Sequence, residues 1–234
     1  MMKRYTAPII SMILGLINAA ACALYLASVD MDIIPTHFDL HMNPDQYGSK
    51  WINMATSGIV FLLGILFLVY RAVTKEKENH EKNRKYEDVF LIIISVGFCL
   101  LTWFLMLAST DAVSPSRRWL PYLSVVLGVL FILFGNISGK LRQQPNFGIK
   151  TYATLNNGTV WRKTHRLSGV IGVIMGFVTI LGGIFGMFVR DFEIPVFAVT
   201  VVGYVVLSFL VPTVYARVLY NKLGSDKAEA IEEE

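Results

Sequence analysis

Histidine and aspartate residues in one polar stretch form the first group with the chemistry of a metal site. His37 and His41 are four residues apart, and Asp39 and Asp45 lie beside them. On a helix this spacing places both imidazoles on one face, as zinc sites require. Pro35 lies just upstream, and no glutamate follows His37 as the HExxH pattern demands. The sequence favours ordinary loop histidines and leaves a metal-dependent membrane enzyme as an alternative function.

No other pattern indicates catalysis or a cofactor. A nucleophile elbow, a P-loop and a dinucleotide fingerprint are all missing from the sequence. Cys22 and Cys99 lie inside apolar blocks, so neither supports a disulfide framework or a metal cluster. Asp88 and Asp111 fall at block ends, and no acid–base pair is visible within a block, as a proton-coupled transporter would need. We predict a protein that is not an enzyme and has no cofactor. A small-solute or lipid transporter or channel is an alternative.

The longest polar interval, 135–169, is strongly basic. It contains one histidine, no Asp or Glu, and six cations: Lys140, Arg142, Lys150, Arg162, Lys163 and Arg166. These cations have two interpretations: attraction to anionic lipid, at about 1 kcal/mol each near the surface, or an ordered surface for a partner. Asn156 or Asn157 is predicted to cap a helix that begins near Gly158.

That helix is predicted to be amphipathic. One face is expected to hold Val160, Trp161, Thr164 and Leu167, with Arg162, Lys163 and Arg166 largely on the others. The pattern predicts an interfacial helix with Trp161 at headgroup depth, leading directly into the next apolar block.

Six apolar blocks must position these polar stretches, at about 6–27, 52–72, 89–110, 119–138, 167–189 and 194–216. Each is close to the roughly 20 residues that span about 30 Å of hydrocarbon. The predicted fold class is an all-α polytopic membrane protein with six transmembrane helices. The expected parts are an N-terminal half, 1–110, with an acidic outer loop, 28–51; a C-terminal half, 111–216, with a basic inner loop, 139–166; and a disordered cytoplasmic tail, 217–234.

The distribution of Lys and Arg predicts the orientation. With six spans and a cytoplasmic N-terminus, seventeen of the 21 cations lie on the cytoplasmic side and four outside. Both termini are therefore expected to be cytoplasmic.

The remaining connections carry weaker signals. Pro35, Pro44 and Gly48 predict turns, not a continuous helix, in the acidic loop. Residues 73–88 alternate in charge and predict a solvated helical extension. The GxxxG pairs Gly172–Gly176 and Gly182–Gly186 favour packing between helices of one chain over homodimerisation.

The basic stretch resembles the signature of the SdpI family of bacterial membrane proteins. The matching positions are Asn136, Asn146, Gly148, Lys150, Thr151, Thr154, Leu155, Asn157, Trp161, Arg162, Thr164, His165 and Arg166. The acidic loop resembles the N-terminal domain of unknown function associated with that family, at Pro35, His37, Phe38, Pro44, Gly48, Ser49 and Lys50. One departure is that the family's Arg-Thr-Pro-Trp is here Lys-Thr-Tyr-Ala, so a bidentate arginine becomes a point-charge lysine, Lys150.

The resemblance implies immunity to a secreted, membrane-active peptide toxin in the bacterial plasma membrane. It also implies signalling, in which the toxin-occupied protein holds a transcriptional repressor at the membrane. The expected partners are the lipid bilayer, the toxin and that repressor, with no direct binding of nucleic acid. The sequence leaves the identity of the toxin and the oligomeric state open.

Overall fold

The helices of the structure follow the apolar blocks and extend beyond several of them. The structure is a computed structural model, and it describes residues 2–39, 43–74, 78–111, 120–189 and 192–232. The helices are α1 (Met2–Ala27), α2 (Met54–Val73), α3 (Glu78–Asp111), α4 (Leu120–Ser138), α5 (Tyr152–Asn156), α6 (Gly158–Phe188), α7 (Glu193–Val205) and α8 (Val211–Glu232). A 3-10 turn, Lys50–Asn53, precedes α2, and a π-helical segment, Val206–Leu210, joins α7 to α8.

Among the residues that the structure describes, six helical stretches are long and apolar enough to cross a membrane, so the predicted count of six is confirmed. Segments α7 and α8 with the π-helical turn between them form the sixth stretch. The two strands, β1 (Ile33–Phe38) and β2 (Pro44–Ser49), pair antiparallel in the first loop.

The chain forms two compact units. The first comprises Met1–Lys75, Glu87–Leu123 and Gly183–Pro195, and the second comprises Glu76–Tyr86, Ser124–Gly182 and Val196–Glu234. Relative to the predicted division at residue 110, residues 76–86 belong to the second unit, and residues 111–123 and 183–195 belong to the first.

Polar layers cross the core of the first unit at heptad spacing. The layers pair Ser11 with Ser95 (2.7 Å), Asn18 with Trp103 (3.1 Å) and Tyr25 with Thr110 (2.8 Å). Successive members are seven residues apart in α1 and seven or eight apart in α3. In lipid, such hydrogen bonds between helices stabilise a particular alignment, so these layers fix the register of α1 against α3.

A buried ion pair lies where α2 ends. Arg71 Nη2 lies 3.0 Å from Glu87 Oε2 and 2.9 Å from Asp88 Oδ1, and the side chains of Arg71 and Glu87 are 7% and 2% exposed. The two acids precede the apolar block at 89–110, so the expectation that no acid–base pair lies within a block stays a prediction. Helix α3 begins at Glu78, well before that block, so Glu87 lies within the helix and contacts Arg71 of α2.

Glycines bring α4 and α6 of the second unit into backbone contact. A Cβ on Gly128 would lie 2.6 Å from the Gly176 carbonyl oxygen, and one on Gly135 would lie 2.8 Å from that of Gly169. A Cβ on Gly172 would lie 3.3 Å from Gly135 Cα. The predicted packing within one chain is confirmed for the Gly172–Gly176 pair, since no side chain fits between these helices.

The π-helical segment sits where a proline interrupts the last span. Pro212 has no N–H, so the carbonyl of Ser208, four residues earlier, cannot receive its α-helical hydrogen bond. Ser168 Oγ of α6 donates to that carbonyl instead, at 2.8 Å. Proline and the cross-helix bond together explain the local change of helix type.

Helix α8 continues through Glu232, within the range 217–234 for which a disordered tail is predicted. The sequence there is rich in Ala, Glu and Lys, which are strong helix formers. The first part of α8 is held by packing against Ala153 and Val160. The helix propensity of the residues that follow favours its continuation.

Candidate functional site

The site is built on the connection between α4 and α6, and its first element is a helix cap. Asn157 Oδ1 accepts hydrogen bonds from the backbone N–H groups of Thr159 (2.9 Å) and Val160 (3.1 Å). These are two of the four donors that the first turn of α6 leaves without a partner. The predicted cap is confirmed, with Asn157 as the capping residue.

The short helix α5 is closed at its N-terminus by a pair of threonines. Thr154 N donates to Thr151 Oγ1 (3.2 Å), and Thr151 N donates to Thr154 Oγ1 (2.9 Å), which forms a reciprocal capping box. Gln143 Nε2 donates to the carbonyls of Thr154 (2.8 Å) and Leu155 (2.7 Å). A five-residue helix is marginal alone, so these side chains hold it.

Trp161 is the centre of the site. Its ring stacks on His165 with centroids 4.0 Å apart, its Nε1 donates to the Leu141 carbonyl at 2.8 Å, and it is fully buried. The headgroup depth of Trp161 stays a prediction, and the indole is enclosed by protein and not exposed at the surface. Its N–H has a backbone partner inside the protein, so the indole does not need the membrane interface.

Both ring nitrogens of His165 are engaged. Nδ1 lies 2.9 Å from the Trp161 carbonyl, so it donates, and Nε2 accepts from the Ile149 N–H at 2.9 Å. This arrangement requires the neutral imidazole with its proton on Nδ1. The histidine is a structural link between α6 and the preceding loop.

Gly148 lies directly over this aromatic pair. Its φ is +116°, and a Cβ would lie 2.5 Å from His165 Nε2 and 2.9 Å from Trp161 Cη2. Both the conformation and the space therefore require glycine.

The cations of the stretch lie on the outside. Lys140, Arg142, Lys150, Arg162, Lys163 and Arg166 are all exposed. Of the predicted apolar face, Val160, Trp161 and Thr164 are buried and Leu167 is half-buried. The predicted division of faces is confirmed. Neutral residues fold the segment, and the charged residues form its surface, which we call the basic surface.

Some predicted site residues do not join the core. Asn136 is exposed and donates to the Ile132 carbonyl of its own helix. Asn146 is exposed, and Leu155 is 40% exposed. Thr164 is buried in the core, yet its Oγ1 has no hydrogen-bond partner among the described residues.

Asn83 on α3 is a site residue that the sequence analysis missed. Its Nδ2 donates to the Arg142 carbonyl (2.9 Å), its Oδ1 accepts from the Arg142 N–H (2.8 Å), and it is fully buried. The expectation that residues 73–88 form a solvated extension is wrong for Asn83 and Glu87. The signal was present: Asn83, Glu87, Leu91 and Ser95 recur every four residues, as one buried helix face does.

The first loop forms a β-hairpin. The pairs are Ile33 with Ser49, Ile34 with Gly48, Pro35 with Tyr47, His37 with Gln46, and Phe38 with Pro44. The prediction of turns in place of a continuous helix is confirmed. The strands were not predicted.

Lys50 anchors this hairpin. Its Nζ donates to the Val29 carbonyl at 2.8 Å and lies 3.6 Å from Asp32 Oδ1, and the side chain is only 10% exposed. Ser49 Oγ accepts from the Trp51 N–H at 3.4 Å and caps the 3-10 turn. The Ser-Lys pair thus joins the second strand to the start of α2.

His37 forms a local pair with Asp45, at 2.6 Å from Nδ1 to Oδ1. Within the described parts of the chain, no group of three His, Cys, Asp or Glu side chains could hold a metal ion. His41 lies outside the described residues, so the metal alternative that includes it is not tested.

Comparison with known proteins gives one match. Residues 140–216 match the SdpI/YfhL protein family, which covers the connection just described and the two spans that follow it. No curated protein and no solved structure matches the chain. The associated N-terminal domain stays a resemblance.

Proposed function

From the match of residues 140–216 to the SdpI/YfhL protein family, we propose that this protein confers immunity to a secreted, membrane-active peptide toxin. The six membrane-spanning stretches and the family fit a multi-pass membrane protein of the immunity type. We propose the bacterial plasma membrane as its location, with both termini and the basic surface in the cytoplasm, as the excess of Lys and Arg favours.

The observation that carries the proposal is the folded core around Trp161. Gly148, Trp161 and His165 form one packed unit that leads directly into α6, while the cations of the family motif remain exposed. A lipid anchor needs only charge. An ordered core beneath an exposed basic surface suits a docking function.

Signalling follows as the second part of the proposal. A basic surface of defined shape is suited to an acidic protein partner, and the family suggests a transcriptional repressor held at the membrane. The protein binds no nucleic acid itself and catalyses no reaction in this proposal.

The test is a challenge of cells with peptide toxins of the producing organism, with and without the protein. Wild-type protein is expected to restore growth. Gly148→Ala is expected to abolish protection, because its Cβ meets His165 and Trp161. Gly139→Ala is the matched control, since its nearest neighbour is Arg166 Cα at 3.6 Å.

A blot of the membrane fraction must show normal levels of both variants, so that lost protection is not caused by lost protein. If the levels differ, toxin binding by equal amounts of the purified variants is compared. If no peptide toxin of the organism distinguishes cells with the protein from cells without it, the immunity proposal is wrong.

One observation favours the transporter alternative. The buried Arg71–Glu87 pair is an ionisable group of the kind that membrane transporters keep for function. Flux of protons or small solutes into liposomes that carry the protein, lost in Glu87→Gln, would favour that alternative over immunity.

A further inference from the structure

The hairpin of the first loop has a surface of one charge sign. Asp30 is exposed, and the side chains of Asp32 and Asp45 are 96% and 45% exposed. Lys50 is the only Lys or Arg in 28–51, and it is buried against the Val29 carbonyl. The hairpin therefore presents carboxylates to its surroundings and withdraws its one cation.

Apolar side chains are exposed beside these carboxylates. Ile33 is 66% exposed, Tyr47 61% and Trp51 48%. Ile33 pairs with Ser49, and Pro35 pairs with Tyr47. Since paired residues and residues two apart share a face of a sheet, Ile33 and Tyr47 lie on the same face.

From this combination we infer that the hairpin is a docking surface for a cationic amphipathic peptide. The inference rests on the proposed function, and it gives the chemical class of the toxin that the protein recognises. Lysine or arginine side chains of the peptide pair with Asp30, Asp32 and Asp45, and its apolar face covers Ile33 and Tyr47. Strand addition is not required, and Pro35, which lacks an N–H, weakens that mode along β1.

Charge decides between this occupant and the lipid surface. An exposed patch of Ile, Tyr and Trp also suits the membrane interface. Anionic headgroups would repel the aspartates, whereas a cationic peptide gains from them and is steered towards them at low ionic strength. A hairpin that served only as an interfacial anchor would gain from exposed lysines, and it exposes none.

The experiment uses the full chain in nanodiscs of phosphatidylcholine. The probes are a dye-labelled amphipathic Leu/Lys peptide and a Leu/Glu peptide of equal length, with binding to empty nanodiscs subtracted. The Leu/Lys peptide is expected to bind and the Leu/Glu peptide is not. Binding is expected to weaken as salt rises.

Variants test the surface residue by residue. The double variant Asp32→Asn/Asp45→Asn is expected to weaken binding about fivefold, in line with two exposed charge pairs. Asp30→Asn, which leaves the Lys50 and His37 contacts intact, tests charge without altering the hairpin. Tyr47→Ser tests the apolar contact, and Glu81→Gln, an exposed acid on α3, is the control.

Equal binding of both peptides, or unchanged binding in Asp30→Asn, in the double variant and in Tyr47→Ser, would overturn the inference and leave the hairpin as a lipid anchor. The two hypotheses fail in distinguishable ways. If only the docking inference is wrong, the protein still protects cells from toxin, and the hairpin variants bind the peptide and protect as the wild type does. If the immunity proposal is wrong, the Leu/Lys peptide still binds, but the protein protects against no toxin of the organism.

Discussion

The two polar connections of this protein use charge in opposite ways. In the basic stretch, 139–166, every cation is exposed, and neutral residues such as Trp161 and His165 make the fold. In the hairpin between α1 and α2, the one cation, Lys50, is buried and holds the fold, while the aspartates are exposed. The comparison shows that net charge does not reveal whether a charged residue is structural or available to a partner. Burial and hydrogen bonding decide that.

The largest effect is expected from a substitution that disrupts the neutral core around Trp161. Gly148→Val adds a β-branched side chain at φ +116° and overlaps His165 and Trp161. We expect destabilisation of about 3 kcal/mol from strain and overpacking together, with loss of protection. Thermal unfolding in detergent measures the first and toxin challenge the second. Gly139→Ala should remain close to wild type, and comparable behaviour of the two variants would refute the role of the Trp161–His165 pair beneath Gly148.

A smaller effect is expected from removing a single hydrogen bond in the same core. Trp161→Phe keeps most of the stack on His165 but leaves the buried Leu141 carbonyl without its donor. An unsatisfied buried carbonyl costs about 1–3 kcal/mol. Hydrogen exchange of the Ile149 amide, which donates to His165, should speed up as the contact between Trp161 and His165 loosens. Unchanged exchange would mean that stacking alone holds the segment.

Lys50→Met tests the opposite use of charge in the hairpin. The variant keeps the length of the side chain, removes the cation, and leaves the Val29 carbonyl and Asp32 without their partner. We expect a loss of about 1–2 kcal/mol, confined to the hairpin, visible as faster proteolysis within 28–51. Lys163→Met, at an exposed cation, is the control. Equal protease sensitivity of the two variants would show that Lys50 is not an anchor.

The smallest effect on stability is expected at the basic surface. Arg166→Lys alters an exposed side chain and should change the free energy of unfolding by less than about 0.5 kcal/mol. Protection is the informative measurement. A docking surface that uses the planar guanidinium should lose protection, whereas full protection would identify the basic surface as an electrostatic anchor.

Much of the fold was predictable because the bilayer imposes simple lengths. Six spans, the Asn157 cap, the exposed and buried faces at the start of α6, and the Gly172–Gly176 packing follow from periodicity and residue type. The basic segment was also identifiable, because glycine and asparagine occur where a chain needs a special conformation or a cap.

Other features depend on contacts between distant parts of the chain. Asn83 forms hydrogen bonds with the backbone of Arg142, 59 positions away, and a backbone group carries no sequence signal. The Arg71–Glu87 pair was missed because α3 begins before its apolar block. The hydrogen bond from Trp161 to the Leu141 carbonyl was not predicted, because a backbone carbonyl carries no sequence signal.

The π-helical turn of the last span changes which way the two halves of that span face. A π-turn holds one more residue than an α-turn. The side chains after the turn are therefore rotated about the helix axis by about 100° relative to those before it. In this chain the offset lets Tyr204 stack on Phe131 of α4 while Ala216 packs against Val160 of α6. Deleting one residue from Val206–Leu210 would restore an ordinary helix and rotate Ala216 away from Val160. The π-turn thus acts as a single-residue insertion that lets each end of the span pack against a different neighbouring helix.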